Sequence, residues 1–355
     1  MDKTESNSRG NSVPESGFAS NKVSSVIRQH PAVWFFVIAF AISWIMWLAG
    51  ATIAKGSGIG FIAAFAPAVS AIFVAACMNP TPSHASVKKR IALFVIVLAI
   101  TVAVSIQTIS YSSNPQIGPI VVIFVTAIIT AYVFSCYYHP IQGVSQVFSG
   151  LNQKGKKPIW LLIAFGLPLA FQIGGALINL ALGINLFGNV TVALITLLAT
   201  GVPYMFIFGG PSGEEPGWRG FATPQMQKYL NPLFVGIIIG ILWTAWHLPL
   251  YFTGDYAGGV NAAIFRFAWN VPLGILFAWV YNKSNGNLLA ALLLHTSNNL
   301  FVTLFTSANQ NMDWVVAISF TVVVVVVTKF WKTTNNLPTI QTAPLKPQQT
   351  AIPAT

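Results

Sequence analysis

Carboxylates are scarce in this 355-residue chain, so the positions of the few that exist carry information about chemistry. After Glu15 there are four of them, Glu214, Glu215, Asp255 and Asp313. Asp255 lies in a short glycine-containing loop and Asp313 lies beside the end of an apolar stretch, where water can solvate both. Glu214 and Glu215 are adjacent and directly follow an apolar stretch. Burying two neighbouring carboxylates is costly unless a cation binds one of them, so this pair is the first candidate for a reactive site.

Arg219 is the cation that the spacing provides. If the segment is helical with Pro216 in its first turn, Glu215 and Arg219 lie four residues apart on one face. Glu214 then points elsewhere and is free to act as a general base. The alternative interpretation is a cytoplasmic cluster of acids that caps the start of a helix.

Two histidines lie inside apolar runs of the sequence, where an ionisable side chain indicates a functional site. They are His247 and His295, and the alternative for each is a structural histidine with satisfied hydrogen bonds. Asn299 follows His295 by four residues, so both face the same way on a helix and can donate hydrogen bonds to one oxygen. Trp243 precedes His247 by four residues and is interpreted as a packing wall.

These patterns, in this order, resemble the CAAX protease and bacteriocin-processing (CPBP) membrane peptidases, which include the type II CAAX prenyl endopeptidases. The three motifs of that family match as follows: Glu-Glu-x-x-x-Arg at Glu214, Glu215 and Arg219, Phe-x-x-x-His at Trp243 and His247, and His-x-x-x-Asn at His295 and Asn299. Trp243 stands where the family pattern has Phe. The resemblance covers about residues 190–307.

The resemblance implies an intramembrane endopeptidase in which Glu214 and His247 activate a water molecule. It further implies that His295 and Asn299 stabilise the oxyanion and that Glu215 and Arg219 brace the site. The resemblance makes no cofactor certain. Members are commonly called metalloproteases, and Glu214, His247 and His295 could hold a divalent metal such as zinc with one position open for water. The His-Glu-x-x-His pattern of zinc proteases is absent, and the same residues could equally act without a metal.

Composition places the site inside a membrane protein. Only 7% of the residues are charged and the mean hydropathy is +0.69, whereas soluble domains carry about 25% charged residues. Apolar stretches of roughly 20 residues, long enough to cross a bilayer, recur along the chain. We count ten, near residues 32–53, 58–78, 91–112, 117–138, 158–184, 190–210, 233–252, 262–281, 286–307 and 312–330. They predict an all-α, polytopic transmembrane helical bundle in the cell membrane.

Basic residues predict the orientation, because Lys and Arg near span ends stay cytoplasmic. With ten spans and both termini cytoplasmic, nearly every cation falls inside, Lys55 falls outside and Arg266 falls within a span. The net charge of +11 is thereby explained by topology and anionic lipid, and nucleic acid is not an expected partner. The expected partners are the bilayer and a membrane-associated peptide or protein substrate, which is prenylated in some members of the resembling family.

The predicted organisation has five parts. They are a disordered cytoplasmic tail at 1–31, N-terminal transmembrane helices of open role at 32–189, the peptidase-like domain at 190–307, a final transmembrane helix at 308–330 and a second disordered tail at 331–355.

Matching arm lengths predict that residues 214–229 descend into the membrane after a break at residues 209–213. From Glu214 to the turn at Asn231 the chain is about as long as from that turn back to His247. Irregular backbone at that depth would line a water-filled cavity.

Two rival functions fit parts of the pattern. The first is a rhomboid-like serine peptidase, because residues 210–213, Gly-Pro-Ser-Gly, match the Gly-x-Ser-Gly pattern of rhomboids with Ser212 as the nucleophile. The order of residues argues against it, because His295 and Asn299 follow this serine, whereas in rhomboids the His and Asn precede it. The second is a membrane transporter or a catalytically silent scaffold that uses the same polar cluster as a relay. Cys77 and Cys136 form neither a metal spacing nor a disulfide framework and are interpreted as packing residues.

Overall fold

The computed structural model describes residues 22–53, 58–111, 116–152, 158–184, 197–304, 312–332 and 337. Within these ranges the regular structure is helical, and the extended pairing is limited to an isolated bridge between Pro82 and Ile141. Each of the ten predicted stretches contains a helix. In the described part of the chain, seven helical segments are long and apolar enough to cross a membrane, and three apolar helices are shorter. The prediction of an all-α, multi-pass membrane protein is confirmed, whereas the number of crossings and the orientation stay predictions.

The helices before the candidate site are, in chain order, α1 (Lys22–Gln29), α2 (Pro31–Thr52), α3 (Gly60–Ala63), α4 (Ala66–Met78), α5 (Val87–Ser110), α6 (Ile117–Ser135), α7 (Gln142–Phe148) and α8 (Ile159–Ala181). The helices that follow are α9 (Val202–Phe208), α10 (Pro211–Gly217), α11 (Thr223–Met226), α12 (Pro232–Trp246), α13 (Leu248–Thr253), α14 (Gly259–Lys283), α15 (Leu288–Leu304) and α16 (Asp313–Thr328).

The N-terminal tail is shorter than predicted, because α1 occupies residues 22–29. Ile27 of this helix is buried, and the Arg28 Nε donates a hydrogen bond of 2.7 Å to the Cys77 carbonyl at the end of α4. The prediction of a disordered segment reaching residue 31 is therefore wrong. The cause is tertiary: α1 is polar by composition and gains its ordered position from contacts with α4.

Glycines allow α12 and α14 to approach closely. A Cβ at Gly240 would lie 2.8 Å from the Val271 Cα, and one at Gly274 would lie 2.6 Å from the Gly236 carbonyl oxygen. Small residues four apart, such as Gly236 and Gly240, are the usual means by which membrane helices pack backbone against backbone. The result is a tight helix pair whose opposed faces continue toward the candidate site.

Glycines also allow the acidic segment, residues 211–226, to pack closely against the N-terminal helices. A Cβ at Gly213 would meet the Ala64 carbonyl oxygen at 2.5 Å, and one at Gly217 would meet the Pro67 Cβ at the same distance. The start of α4 therefore packs directly on α10. The first helices, whose role the sequence left open, form one wall of the site.

Candidate active site

A break in the helical backbone begins the site. Helix α9 ends at Phe208, Gly210 has φ +103°, and Pro211 opens α10 at a position where its missing N–H costs nothing. The Ser212 hydroxyl donates to the Phe206 carbonyl oxygen at 2.6 Å, and the Asn299 Nδ2 of α15 donates to the Gly209 carbonyl oxygen at 2.8 Å. Side chains therefore satisfy carbonyl groups that the interrupted helix leaves without partners.

The acidic segment then continues as a buried helix with an irregular turn. Helix α10 is followed by a π-helical turn, Trp218–Ala222, and by α11. Pro216 inside α10 cannot donate a backbone hydrogen bond, and π turns accommodate such local interruptions. The Thr223 N–H and hydroxyl both donate to the Trp218 carbonyl oxygen. Residues 211–225 are buried within the protein, whereas Tyr229 is 85% exposed. The helix begins at Pro211 and contains Pro216, and the descent of residues 214–229 into the membrane stays a prediction.

Glu215 is the charge-paired carboxylate, as the spacing predicted. The Arg219 Nη1 donates to both of its oxygens, at 2.8 and 3.0 Å, and all atoms of the pair are buried. The His295 Nδ1 lies 2.7 Å from the Glu215 Oε1. The guanidinium of Arg219 also lies 3.7 Å from the centroid of the Phe277 ring. Glu215 thus fixes the positions of Arg219 and His295, much as a buried carboxylate orients an imidazole in a catalytic triad.

Glu214 points away from Arg219 and is held by two indole groups. Trp243 and Trp218 donate their Nε1–H groups to the Glu214 Oε2, at 2.5 and 3.3 Å respectively. The other oxygen, Oε1, lies above Gly210, where a Cβ would approach it to 2.4 Å. The same Cβ position is 3.8 Å from the His295 Cε1, so Glu214 and His295 flank one point above Gly210. Among the described residues, the hydrogen-bond donors to Glu214 are two neutral indoles, whereas Glu215 has a cation beside it.

The ring of His247 lies among aromatic side chains. Its Nδ1 is 2.7 Å from the Trp243 carbonyl oxygen, and because a carbonyl only accepts, the Nδ1 carries the proton. In the neutral ring the Nε2 is therefore an acceptor. Trp246 and Tyr256 pack against the imidazole with ring centroids 4.7 and 5.9 Å away, and Trp47 of α2 stacks at 6.3 Å. The first long helix thus contributes directly to the surroundings of this histidine.

Trp243 was predicted as a packing residue, and that interpretation is incomplete. Its indole does pack, with ring centroids 5.2 Å from His295 and 5.8 Å from Phe277. It also donates to Glu214 from the next helix, which places the two arms of the hairpin at the same level, as the equal arm lengths predicted. A phenylalanine, which the family pattern has here, could not donate this hydrogen bond.

Asn299 lies beside the break and already uses one of its donors. Besides its bond to Gly209, it accepts from the Asn298 Nδ2 at 3.1 Å. An amide nitrogen carries two protons, so one remains for another acceptor. Ser212 is fully buried and donates to a backbone carbonyl, which matches a structural role at the break.

The three residues predicted as possible metal ligands all lie within the described ranges. Among the residues that the structure describes, no three side chains of His, Cys, Asp or Glu form a group that could hold a metal ion. Glu214, His247 and His295 all lie within the described ranges, and each directs a side-chain atom to another protein group. The hydrogen bonds of both histidines use the Nδ1, as in metal-bound histidines, so a metal held through the Nε2 atoms and the Glu214 Oε1 stays a prediction.

Three contributors were not identified from the sequence alone: the Trp218 donor, the wall formed by α2 and α4, and the need for glycine at 210. Gly213 and Gly217, spaced by four next to the acidic pair, were the available signal for close helix packing. Trp218 follows Glu214 by four residues, the same spacing that revealed the pairing of Glu215 with Arg219.

Comparison with known proteins supports the family that the sequence motifs resemble. Residues 196–301 match the family model described as "Type II CAAX prenyl endopeptidase Rce1-like". A curated relative, "CAAX prenyl protease 2" of Methanococcus maripaludis, is 28% identical over 106 residues, which cover 28% of this chain. The aligned region spans 39% of the length of that relative. The matched segment contains every predicted site residue.

Proposed function

We propose that this multi-pass membrane protein, whose residues 196–301 match an Rce1-like family model, is an endopeptidase that hydrolyses a peptide bond of a membrane-associated substrate. The observation that carries the proposal is the division of labour between the adjacent carboxylates. Glu215 is bound by Arg219 and His295, whereas Glu214 is held only by indole N–H groups. A buried carboxylate whose hydrogen bonds come from neutral indoles is suited to taking a proton from water.

In the proposed reaction, Glu214 is the general base. Its Oε1 takes one proton from a water molecule while the water oxygen forms a bond to the carbonyl carbon of the scissile peptide. The two indole donors keep the Oε2 in place, so the Oε1 faces the point above Gly210. The bare Nε2 of His247 accepts the second hydrogen of the same water and orients it.

The tetrahedral intermediate carries its negative charge on the former carbonyl oxygen. His295 donates a hydrogen bond to that oxygen from its Nε2, and Glu215 holds the ring in place through the Nδ1. The free N–H of Asn299 is the second donor. The carbon–nitrogen bond then breaks, and the proton held by Glu214 passes to the leaving amine, so that the base is restored.

The substrate class is proposed from the relative. That protein is named a CAAX prenyl protease, and we extend its substrate to this chain as a peptide with a prenylated cysteine near its C-terminus. A suitable probe is an internally quenched peptide that ends in a farnesylated cysteine followed by three residues.

The test compares purified wild-type protein and Glu214→Gln in lipid nanodiscs with this probe. Loss of a general base lowers kcat by about 10²- to 10⁴-fold, and Glu214→Gln should do so without unfolding the protein. Asp255→Asn is the matched control, because Asp255 is an exposed carboxylate outside the site. Full activity in Glu214→Gln would refute the assigned role. Full activity after chelator treatment is expected if water is activated by side chains alone, and loss in Ser212→Ala with an active Glu214→Gln would favour a serine mechanism.

A further inference from the structure

Arg266 is a cation within a membrane-spanning helix that the proposed reaction does not use. It lies on the inward face of α14, which Ala263, Asn270, Leu273 and Phe277 continue at helical spacing as buried residues. Phe277 at the far end of this face packs on Arg219 and Trp243. The face that carries Arg266 is therefore the face that lines the candidate site.

Within the described residues, no carboxylate forms an ion pair with the Arg266 guanidinium, and Glu214 acts on it only at longer range. Its Nη1 is 3.5 Å from the Tyr251 hydroxyl oxygen, and its buried Nε donates to no acceptor. The four carboxylates in the described ranges are engaged elsewhere: Glu214 with indoles, Glu215 with Arg219, Asp255 with Thr253 and Asp313 with Gln172. An arginine in a membrane span normally pairs with an anion, because an isolated charge there is costly.

A second donor without a partner stands one turn further along the same face. Asn270 is 2% exposed, and its Nδ2 makes no hydrogen bond. Residues four apart on a helix are neighbours, so Arg266 and Asn270 present donors to one location. Buried donors are nearly always satisfied in folded proteins, and two that are not, side by side, indicate a place for an acceptor.

This location is one aromatic ring away from the proposed catalytic histidine. The Arg266 guanidinium lies 5.0 Å from the centroid of the Tyr256 ring. That same ring stacks on His247 at 5.9 Å with an angle of 24°. An anion held by Arg266 would therefore belong to a part of the substrate only a few residues from the scissile bond.

Resting on the proposed peptidase function, we propose that Arg266 and Asn270 bind a carboxylate of the peptide substrate. The guanidinium fork matches the two oxygens of a carboxylate, and an amide N–H adds a third bond. Two sources have this chemistry, the terminal carboxylate of a peptide cleaved near its end and an acidic side chain close to the cleaved bond. Either would fix the register of the chain relative to Glu214.

The experiment measures binding in the Glu214→Gln background, so that no probe is cleaved during the titration. Three forms of the farnesylated peptide are compared in phosphatidylcholine nanodiscs: the free acid, the C-terminal carboxamide, and a carboxamide whose last residue is glutamate. The free acid is expected to bind roughly 10- to 100-fold more tightly than the plain carboxamide, as for a charged hydrogen bond. Tight binding of the third form identifies an acidic side chain as a second accepted source.

Substitution of Arg266 tests the assignment. Arg266→Gln should abolish the difference between acid and carboxamide, and Arg266→Lys should restore part of it. Lys283→Gln is the matched control, because it removes an exposed cation from the far end of the same helix and should leave the difference unchanged. The melting temperature of each variant shows that it is folded.

The outcomes separate this inference from the proposed function. If the wild-type protein cleaves the free acid and the carboxamide equally well, with equal affinity in the Glu214→Gln background, the carboxylate site is refuted and the peptidase stands. Discrimination by affinity without any cleavage would refute the peptidase and support the site. If Arg266→Gln still discriminates but its melting temperature no longer responds to phosphatidylglycerol, Arg266 binds lipid head groups and the inference is overturned.

Discussion

The acidic segment, residues 211–226, and helix α5 differ in which side chains are buried. The acidic segment is polar and glycine-rich, yet Ser212, Glu215 and Arg219 are at most 1% exposed. Helix α5 is a run of Val, Ile and Leu, yet Ile91, Ile96 and Ile100 are each more than half exposed. Two of its polar residues, Thr101 and Ser105, are buried, and the Thr101 hydroxyl donates to the Ala127 carbonyl oxygen at 3.3 Å.

The difference shows which forces hold each region in a bilayer. Lipid tails are as apolar as leucine, so burying apolar surface between helices gains little, and close backbone packing and polar contacts matter more. The acidic segment depends on such contacts throughout. Helix α5 exposes apolar side chains suited to lipid on one side and makes only a few polar contacts with the described helices on the other. Substitutions should therefore have large effects in the first region and small effects in the second.

The largest expected effect comes from breaking the buried ion pair. Glu215→Gln leaves the Arg219 charge without its partner, and we expect a loss of about 3–5 kcal/mol in the free energy of unfolding. Thermal unfolding in nanodiscs measures it, with Ile96→Ala on the lipid-facing side of α5 as the contrasting variant, expected to change stability by about 0.5 kcal/mol or less. The double variant Glu215→Gln/Arg219→Met should recover part of the loss, since it removes the unpaired charge. Equal melting temperatures for Glu215→Gln and the wild type would contradict the comparison.

A smaller effect is expected where backbone packs against backbone. Gly217→Ala would bring a Cβ to 2.5 Å from the Pro67 Cβ and 2.7 Å from its carbonyl carbon, and should cost about 1–3 kcal/mol. Gly166→Ala in α8 is the matched control, because a Cβ there meets no atom within 4 Å and helix propensity favours alanine by about 0.5–1 kcal/mol. The two alanines should move the melting temperature in opposite directions. If Gly217→Ala left the melting temperature unchanged, α4 and α10 would be free to separate.

The smallest expected effect on stability comes from removing one indole N–H donor to Glu214. Trp243→Phe keeps most of the ring packing and removes the shorter of the two hydrogen bonds to Glu214, at a cost of about 1 kcal/mol. Trp243 acts here as a positioning residue, so kcat should fall by roughly 10-fold while KM stays unchanged. A change in KM with normal kcat would assign Trp243 to substrate binding instead. Trp47→Phe, which alters a ring beside His247 and not a Glu214 donor, is the comparison variant.

Local spacing accounts for the parts of the site that were predictable. Glu215 and Arg219 pair because helical residues four apart share a face, whatever the rest of the fold. Cys77 and Cys136 are buried free cysteines, in agreement with a sequence that pairs neither of them with another cysteine. The helix hairpin that brings Trp243 to Glu214 follows from two arms of equal length around Asn231, whose side chain accepts a hydrogen bond from the Phe234 N–H as the α12 cap.

Contacts between distant segments decided what spacing could not. His295 binds Glu215 across 80 positions, and α1 is ordered against α4 although its own composition resembles a tail. His139, which is partly buried, accepts from the Ile141 N–H at 3.1 Å, and burial together with Arg90 lowers its pKa to about 4. Each of these depends on where other helices lie.

By itself, the sequence determined that the chain is a helical membrane protein and which residue types can do chemistry, because hydropathy and helical periodicity are local properties. Only the tertiary structure decided that His295 joins Arg219 in binding Glu215 and that Trp243 and Trp218 donate to Glu214. It also decided that Arg266 faces the site with an N–H that has no acceptor. The physical reason is that a hydrogen bond between helices depends on their separation and rotation, which are set by how glycines and side chains pack along their whole length.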